Sequence, residues 1–322
     1  MRPSHTVYLL FFAITTALTA QSEPSLSVEE TPKHIQLKSG NKKLLSYNKS
    51  LQIAPKGIDP INNRSGYIHP IFTPSGKVAS GDFSEDHPHQ HGLFMAWTNS
   101  RYRGKKIDFW NPKEKSGRVE YAETISLRAD SEQAAFSVRH RHIATAFDSE
   151  VHVIDETWTV TARQASKRAY IFDVESVQSI VGNDPLTLVE YRYGGMALRA
   201  SNEWTSTPSN PDGTCDFLTS EGDAREAGNH TKIRWARMSG IIDDQPLSIT
   251  VLDHPKNFRS PQTARLHPKM PYFVFSPMVE GEFQIEPGQE YVSRYRYLVT
   301  DDVADPKWID QRWKDFANAE ID

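Results

Sequence analysis

The chain has 322 residues, of which 38% are hydrophobic and 24% charged, and its formal net charge is −4. These proportions are typical of a folded globular protein and exclude a disordered or membrane-embedded chain. A mildly acidic chain without a basic block is also a poor candidate for binding nucleic acid or an anionic membrane, so neither is expected as a partner.

The first 20 residues have the pattern of a secretory signal peptide. Arg2 gives a basic start, an apolar run extends over residues 7–20, and the small residues Thr19 and Ala20 mark the expected cleavage point. The run is shorter than the ~20 apolar residues of a membrane span, so we predict cleavage and a periplasmic or extracellular location. The single cysteine, Cys215, excludes an intramolecular disulfide.

The rest of the chain is dominated by strand patterns. Residues 21–32 are polar and are interpreted as a linker, and residues 33–322 are interpreted as one domain. Alternating, β-branched segments predict strands. The clearest segments are residues 151–160, 170–177, 247–252 and 291–299, and a hairpin is predicted from 118–127 and 134–143.

Only the C-terminus is predicted to be helical. Asp305 is a suitable N-cap and Pro306 suits the first helical position. An apolar stripe follows, made of Trp308, Ile309, Arg312, Trp313 and Phe316. Many strands without alternating helices predict an all-β fold, a large antiparallel β-sandwich that ends in this short helix.

Three histidines stand at every second position in the segment Asp86-His87-Pro88-His89-Gln90-His91-Gly92. In an extended segment, His87, His89 and His91 would share one face. Neutral imidazole is a common ligand of divalent metals, so one interpretation is a metal site made of these three histidines. The others are an acid–base site without a cofactor, which we favour, and a purely structural cluster.

The tripeptide Asp-His-Pro occurs a second time, as Asp253-His254-Pro255. In each copy the aspartate either orients the histidine and raises its basicity or caps a turn. On the first interpretation, His87, His89 and His254 are the acid–base groups, with Asp86 and Asp253 beside them. The two turns are then expected to lie together in one pocket.

Four further residues are predicted to bind substrate. Arg199, Asn257 and Arg259 offer donors suited to oxygen-rich ligands, and Arg199 is expected to line the same pocket as the two turns. Trp110 offers an apolar ring for the C–H face of a sugar, although rings of this size commonly fill the space between two sheets. The sequence has no nucleophile elbow, phosphate loop or dinucleotide fingerprint.

Several motifs together resemble a bacterial exported family catalogued as methane oxygenase PmoA-like. They are the two Asp-His-Pro segments, Tyr67-Ile68-His69-Pro70, Asp108-Phe109-Trp110 and Gly194-Gly195-Met196-Ala197-Leu198-Arg199. The resemblance covers about residues 67–297 and implies no methane chemistry, because the mature chain lacks hydrophobic spans. The chain is also similar to the β-sandwich scaffold of galactose mutarotases and many carbohydrate-active enzymes, which transfers function only loosely.

These observations predict an exported carbohydrate-active protein. We expect a hydrolase, lyase or epimerase that acts on a sugar or sugar derivative by His/Asp acid–base chemistry, with a small molecule or glycan as its partner. One alternative is a metal-dependent oxidoreductase or hydrolase that uses the histidine cluster. Another is a non-catalytic glycan-binding module.

Overall fold

The structure is a computed structural model that describes residues 25–319, apart from the side chains of Gln164 and Ala165. The predicted signal peptide lies outside the described residues. Over residues 25–319, no helix is long and apolar enough to cross a membrane. Regular structure is almost entirely β, and the strands pair antiparallel in large sheets. The predicted all-β fold is confirmed.

Nine strands form the first sheet. In spatial order they are β1 (Leu26–Glu30), β2 (His34–Ser39), β3 (Lys42–Asn48), β4 (Tyr67–Ile71), β5 (Leu93–Ala96), β13 (Gly195–Arg199), β19 (Tyr272–Phe275), β18 (Thr263–Leu266) and β15 (Thr231–Lys232). Strand β1 lies within the segment predicted to be a linker, so that prediction is wrong for these residues. Leu26 is buried, and β1 pairs with β2 along its whole length.

Eight strands form the second sheet. In spatial order they are β14 (Asp216–Thr219), β16 (Trp235–Ile242), β17 (Gln245–Asp253), β21 (Glu290–Thr300), β11 (Ala169–Ile180), β10 (Val151–Ala165), β9 (Ala134–Ala144) and β8 (Gly117–Ala129). They contain every strand predicted above. The predicted hairpin is β8–β9, in whose turn the Asp130 carboxylate accepts the backbone N–H groups of Glu132 and Gln133.

A small sheet and short helices complete the fold. The sheet has the order β20 (Phe283–Ile285), β12 (Leu186–Leu188), β6 (Ser100–Tyr102) and β7 (Lys105–Ile107). The helices are α1 (Arg225–Gly228), α2 (Pro306–Ala317) and four 3₁₀ turns at Pro60–Asn62, Pro112–Glu114, Asn202–Trp204 and Pro277–Glu280. The C-terminal helix α2 matches its prediction, since the Asp305 side chain caps it.

Helix α2 packs on the eight-stranded sheet. Its Ile309 and Phe316 are buried in a hydrophobic cluster with Trp235, Leu252 and Leu298 of that sheet. Trp308 and Trp313 pack against the edge of the same cluster, so the predicted apolar stripe is the face that the helix buries.

The main core lies between the two large sheets. Tyr47 on β3 packs its ring against Phe136 and His140 on β9, with ring centroids 5.5 Å and 5.8 Å apart. The core also continues under the four-stranded sheet, where Tyr102 and Leu188 are buried. Burial of this apolar surface is the main force that holds the sheets together.

A carboxylate stands in the middle of this core. Glu156 Oε2 is 3.1 Å from His140 Nδ1 and 2.9 Å from His142 Nε2. Its Oε1 accepts hydrogen bonds from Ser176 and Gln178. Burial opposes the charge, but the hydrogen bonds from the two histidines hold the pKa of Glu156 well below its usual range. The core therefore retains a negative charge that partners on β9 and β11 satisfy.

Candidate functional site

The histidine-rich segment is a loop between residues 81 and 92, and not a strand. A turn at Pro88 and His89 is closed by the Gln90 N–H, which donates to the His87 carbonyl at 3.0 Å. The turn brings the rings of His87 and His89 together, with centroids 5.6 Å apart. The expected alternation of three histidines on one face is therefore wrong, because the turn at the proline interrupts the extended backbone.

The third histidine of the segment, His91, is fully buried behind the loop. Its Nδ1 lies 2.5 Å from Asp82 Oδ1, and its ring packs against those of Tyr67 and Phe83. Tyr67 also donates its hydroxyl hydrogen bond to Asp82, at 2.9 Å. His91 thus has the environment of a structural histidine that joins the loop to β4.

Arg199, the last residue of β13, fixes the loop to the nine-stranded sheet by hydrogen bonds. Its Nη1 donates to Gln90 Oε1 at 2.9 Å, and its Nη2 donates to Ser84 Oγ at 2.7 Å and to Asp86 Oδ1 at 2.8 Å. The side chain has no exposed surface. The expectation that Arg199 lines the pocket is wrong, because the loop itself occupies its donors.

His87 and His89 line a cavity of about 130 Å³ between the loop and the nine-stranded sheet. The other lining residues are Gln90, Phe94, Ala96, Thr98, Trp110, Asn111, Arg192, Tyr193, Arg265, His267, Met270 and Tyr272. They come from the loop, from β5, β18 and β19 and the segments beside them, from the segment before β13, and from the segment after β7. No aspartate or glutamate of the described chain is among them.

Trp110, which the sequence analysis predicts to bind substrate, forms a wall of this cavity. Its Nε1 donates to the His89 carbonyl at 2.7 Å, and its ring stacks on Phe94 with centroids 4.2 Å apart. The ring is 2% exposed, so it supports the turn more than it offers a stacking surface. Its role in substrate binding stays a prediction.

A third imidazole in the cavity, His267, was missed by the sequence analysis. Its Nδ1 accepts the backbone N–H groups of Lys269 at 3.2 Å and Met270 at 3.1 Å, so its proton is on Nε2. The ring lies 6.1 Å from that of His87. The available signal was the dipeptide His267-Pro268, which repeats the His-Pro pair of the two predicted turns.

The cavity keeps two of its histidines uncharged at neutral pH. Burial, and then the neighbouring His87, lower the pKa of His89 to about 3. Burial, and then the charge of Arg265, lower the pKa of His267 to about 4. Burial, followed by the neighbouring Tyr191, raises the pKa of Tyr193 to about 12. At neutral pH the cavity therefore holds two uncharged imidazoles and a protonated phenol, and burial weakens both the basicity of the imidazoles and the acidity of the phenol.

Asp86 lies beside the cavity, next to His87. Its Oδ2 is 3.4 Å from His87 Nδ1. Burial opposes its ionisation, but the contact with His87 and the charge of Arg199 lower the pKa of Asp86 below its usual range. It is thus a carboxylate paired with an arginine, and its role in orienting His87 stays a prediction.

The second Asp-His-Pro turn lies elsewhere. His254 lines a different cavity of about 340 Å³, on the eight-stranded sheet beside α2, which shares no lining residue with the first. Its Nδ1 accepts the Lys256 N–H, and its ring packs edge-on against Phe316. The prediction that the two turns line one pocket is wrong. Each turn packs on a different sheet.

The remaining predicted residues of that turn have structural contacts. Asp253 accepts hydrogen bonds from Asn257, Ser260 and the Gln262 N–H, and burial raises its pKa to about 6. Arg259 donates to two backbone carbonyls of the Pro277–Glu280 turn and its C-cap. Asn257 and Arg259 therefore do not reach the cavity of His87.

The donor set does not fit a metal ion. Within residues 25–319, no group of three His, Cys, Asp or Glu side chains is arranged to hold one. His91 faces Asp82, away from His87 and His89. His267 presents a protonated Nε2, because its Nδ1 already accepts two backbone N–H groups, and a metal requires an unprotonated nitrogen.

A family model described as "Family of unknown function (DUF6807)" matches residues 34–314. No curated protein matches the chain. The match covers both large sheets apart from β1, and most of α2. It gives no support to the PmoA-like resemblance, which stays a prediction.

Two solved structures of other proteins are similar to the chain. The heparan sulfate lyase HepC from Pedobacter heparinus is 10% identical, with a TM-score of 0.39 over 88% of this chain and 38% of that one. The heparinase III BT4657 gene product is 9% identical, with a TM-score of 0.35 over 88% of this chain and 37% of that one. The chain thus spans less than two fifths of the length of either.

Proposed function

The chain belongs to the family of unknown function DUF6807, and we propose that it is an exported carbohydrate-active enzyme, a lyase or epimerase of a sugar or sugar derivative. One observation carries the proposal. Two neutral imidazoles, His89 and His267, line the same cavity as His87 and the Tyr193 hydroxyl, without an acidic side chain in its lining. Histidine is the side chain that most often transfers protons in catalysis, and tyrosine is another that does so.

The absence of carboxylates from the described cavity lining supports a lyase or epimerase over a hydrolase. Hydrolysis of a glycosidic bond commonly uses two carboxyl groups that flank the bond. The described part of the chain provides none to the cavity lining, and Asp86 beside it is in an ion pair with Arg199. A hydrolase is therefore disfavoured, whereas lyases and epimerases need only a base and an acid.

The reaction begins with a neutral histidine. His89 takes a proton from a carbon of the substrate. In a lyase, the electron pair left on that carbon forms a carbon–carbon double bond as the adjacent carbon–oxygen bond breaks, and the leaving oxygen takes the proton of Tyr193. In an epimerase, the same carbon instead receives a proton on its opposite face from the Tyr193 hydroxyl, which is left as a phenolate. Asp86 and Arg199 position the loop that carries His87 and His89.

Histidine variants test the proposal. We expect His89→Gln to lower kcat by about 10²- to 10⁴-fold, the usual contribution of a positioned acid or base. His254→Gln is the matched control, because it removes a histidine from the other cavity, and it should change kcat less than about threefold. Turnover is measured on a panel of glycans and sugar derivatives by absorbance of the new double bond and by NMR for epimers.

Three outcomes would contradict the proposal. Full activity of the His89→Gln variant would show that His89 is not the base. Binding without turnover by the unaltered protein would make it a glycan-binding module. Loss of activity with a chelator, restored by a divalent metal, would favour the metal-dependent alternative. Export is tested separately, by locating the protein in cell fractions of a bacterium that expresses the full sequence.

A further inference from the structure

The cavity contains two guanidinium groups without a negative partner. Arg265 Nη1 donates to the neutral amide oxygen of Asn229 at 3.2 Å, and its Nε is buried without a hydrogen-bond partner. Arg192 lies over the rings of Tyr191 and Tyr193, at 5.6 Å and 5.5 Å from their centroids. Within residues 25–319, neither arginine forms an ion pair.

The other shielded arginines have either a carboxylate partner or backbone carbonyls as acceptors, and Arg64, Arg225 and Arg237 are of the second kind. Arg199 pairs with Asp86 at 2.8 Å, Arg296 with Asp173 at 2.7 Å and Arg294 with Glu175 at 2.6 Å. A partly buried charge without a partner is unfavourable, so its cost is offset where a ligand supplies the opposite charge. This argument applies to the half-buried Arg265, and Arg192, which is exposed, lines the same cavity and adds a second cation to it.

The other groups around the cavity add to the positive potential. After burial, every neighbour that perturbs the pKa of His89 is a histidine, a lysine or an arginine, and the same holds for His267 with Arg265 first among its neighbours. No negative group is among the neighbours of these two histidines, whereas Asp108 is among the groups that raise the pKa of Tyr193 and of Tyr272. A site with this potential attracts anions.

We propose that the ligand of this cavity is a sugar acid, and that Arg192 and Arg265 bind its carboxylate. The inference deepens the proposed function and rests on it for the reaction. Arginine binds a carboxylate through parallel hydrogen bonds from its planar fork. The cavity, at about 130 Å³, is smaller than the ~300–1,000 Å³ of most ligand pockets, so it receives a single sugar unit or a chain end.

A carboxylate on the substrate would also meet a chemical requirement of the proposed reaction. A sugar C–H bond is a very weak acid unless an adjacent group accepts the electron pair. A carboxylate next to that carbon accepts it as the proton leaves, and the two guanidinium groups stabilise the additional negative charge. The residues that recognise the substrate would thus also favour removal of its proton by His89.

Binding measurements test the inference separately from turnover. Isothermal titration calorimetry compares glucuronate with glucose and galacturonate with galactose, on the full chain as produced. We expect each uronate to bind at least tenfold more tightly than its neutral partner. Arg265→Gln should weaken uronate binding about 10- to 100-fold and leave the neutral sugars unchanged. Arg192→Gln, at an exposed position, gives the same test if Arg265→Gln does not fold.

The control variant is Arg101→Gln, which removes the same charge at an exposed position on β6 and should leave all affinities unchanged. Equal binding of uronates and neutral sugars, or full uronate affinity in both cavity variants, would overturn the inference. Equally tight binding of acetate or sulfate would show a general anion site and would also overturn it.

The two proposals fail in different ways. We expect His89→Gln to lose turnover and to keep uronate affinity within about threefold. Selective uronate binding without turnover would support the sugar-acid inference and contradict the proposed enzyme. Turnover of neutral sugars without a preference for uronates would support the proposed enzyme and contradict the sugar-acid inference.

Discussion

At the scale of single residues, the cavity depends on histidines that burial keeps uncharged. The pKa of His89 is about 3 in the folded protein, against about 6.5 for an exposed histidine. The folded state therefore binds fewer protons than the unfolded state between these two values. By linkage, the stability that comes from a neutral His89 is complete at neutral pH and is lost as the pH falls from about 6.5 towards 3.

This linkage gives a prediction about acid stability. Between pH 7 and pH 4 we expect His89 to account for a loss of roughly 1–3 kcal/mol in the free energy of unfolding, which His89→Gln should largely remove. Urea denaturation at several pH values measures it. Asp253, whose pKa is raised to about 6, contributes with the opposite sign, but it is present in both proteins and cancels in the comparison. Parallel pH profiles for the two proteins would contradict the prediction.

At the scale of elements, the position of the loop of residues 81–92 depends on its junction with β5 at Gly92. Gly92 has φ +43°, its N–H donates to the Gly81 carbonyl and its carbonyl accepts the Arg199 N–H, both at 2.7 Å. A Cβ atom at Gly92 would overlap the backbone carbonyl oxygen of Ile68. The junction therefore accepts no side chain without a shift of the histidine loop or of β4.

Gly92→Ala should for this reason reduce activity more than its effect on folding would suggest. We expect a destabilisation of about 2–4 kcal/mol from overlap and a left-handed backbone, with kcat at least tenfold lower in protein that remains folded. Gly76→Ala is the matched control. It also has a positive φ, of +92°, but open space around it, so only the backbone strain of about 1 kcal/mol remains. Thermal unfolding and turnover are measured on both variants, and equal effects would contradict the argument.

At the scale of the whole molecule, the buried Glu156 connects the two large sheets. It contacts His140 on β9, and His140 Nε2 lies 2.6 Å from the Tyr47 hydroxyl on the opposite sheet. The chain of contacts thus crosses the core from one sheet to the other. Removal of the carboxylate would leave donors of several strands without their acceptor.

We therefore expect Glu156→Gln to lower the free energy of unfolding by about 3–5 kcal/mol, the usual effect of breaking a buried charged group from its partners. Glu175→Gln breaks the pair with Arg294 near the surface and should cost less than about 1 kcal/mol. Denaturation in urea measures both values. A loss below 1 kcal/mol for Glu156→Gln would show that the network contributes little to joining the sheets.

The fold was largely predictable because strand patterns are local. Alternation along β10, β11, β17 and β21, and the cap of α2, depend on neighbouring residues only. Strand β1 escaped prediction because Leu26 and Val28 are its only large apolar residues in a polar stretch. The edge of a sheet needs only one buried face, so two apolar side chains suffice there.

The site was predictable only in part, because it is assembled over long sequence distances. The motif correctly indicated that His87 and His89 lie together. The alternation rule wrongly placed His91 on the same face, because Pro88 and His89 form a turn. Similarity between the two Asp-His-Pro segments indicated a common pocket, whereas their strands belong to different sheets. His267 reaches the cavity only because β18 and β19 lie close to β13, a neighbourhood that local patterns do not encode.

The cavity is built from two parts with different origins in the chain. The arginines stand on or beside strands of the nine-stranded sheet, whereas His87 and His89 belong to a loop that Arg199 fastens to it. On the proposed function, the base His89 stands on the loop, whereas the arginines that bind the ligand stand on or beside strands of the sheet. A relative with a shortened loop would keep the sheet and its two cations but lose His89, and we expect it to bind the proposed ligand without turning it over. A relative with a different loop would carry out another reaction on it.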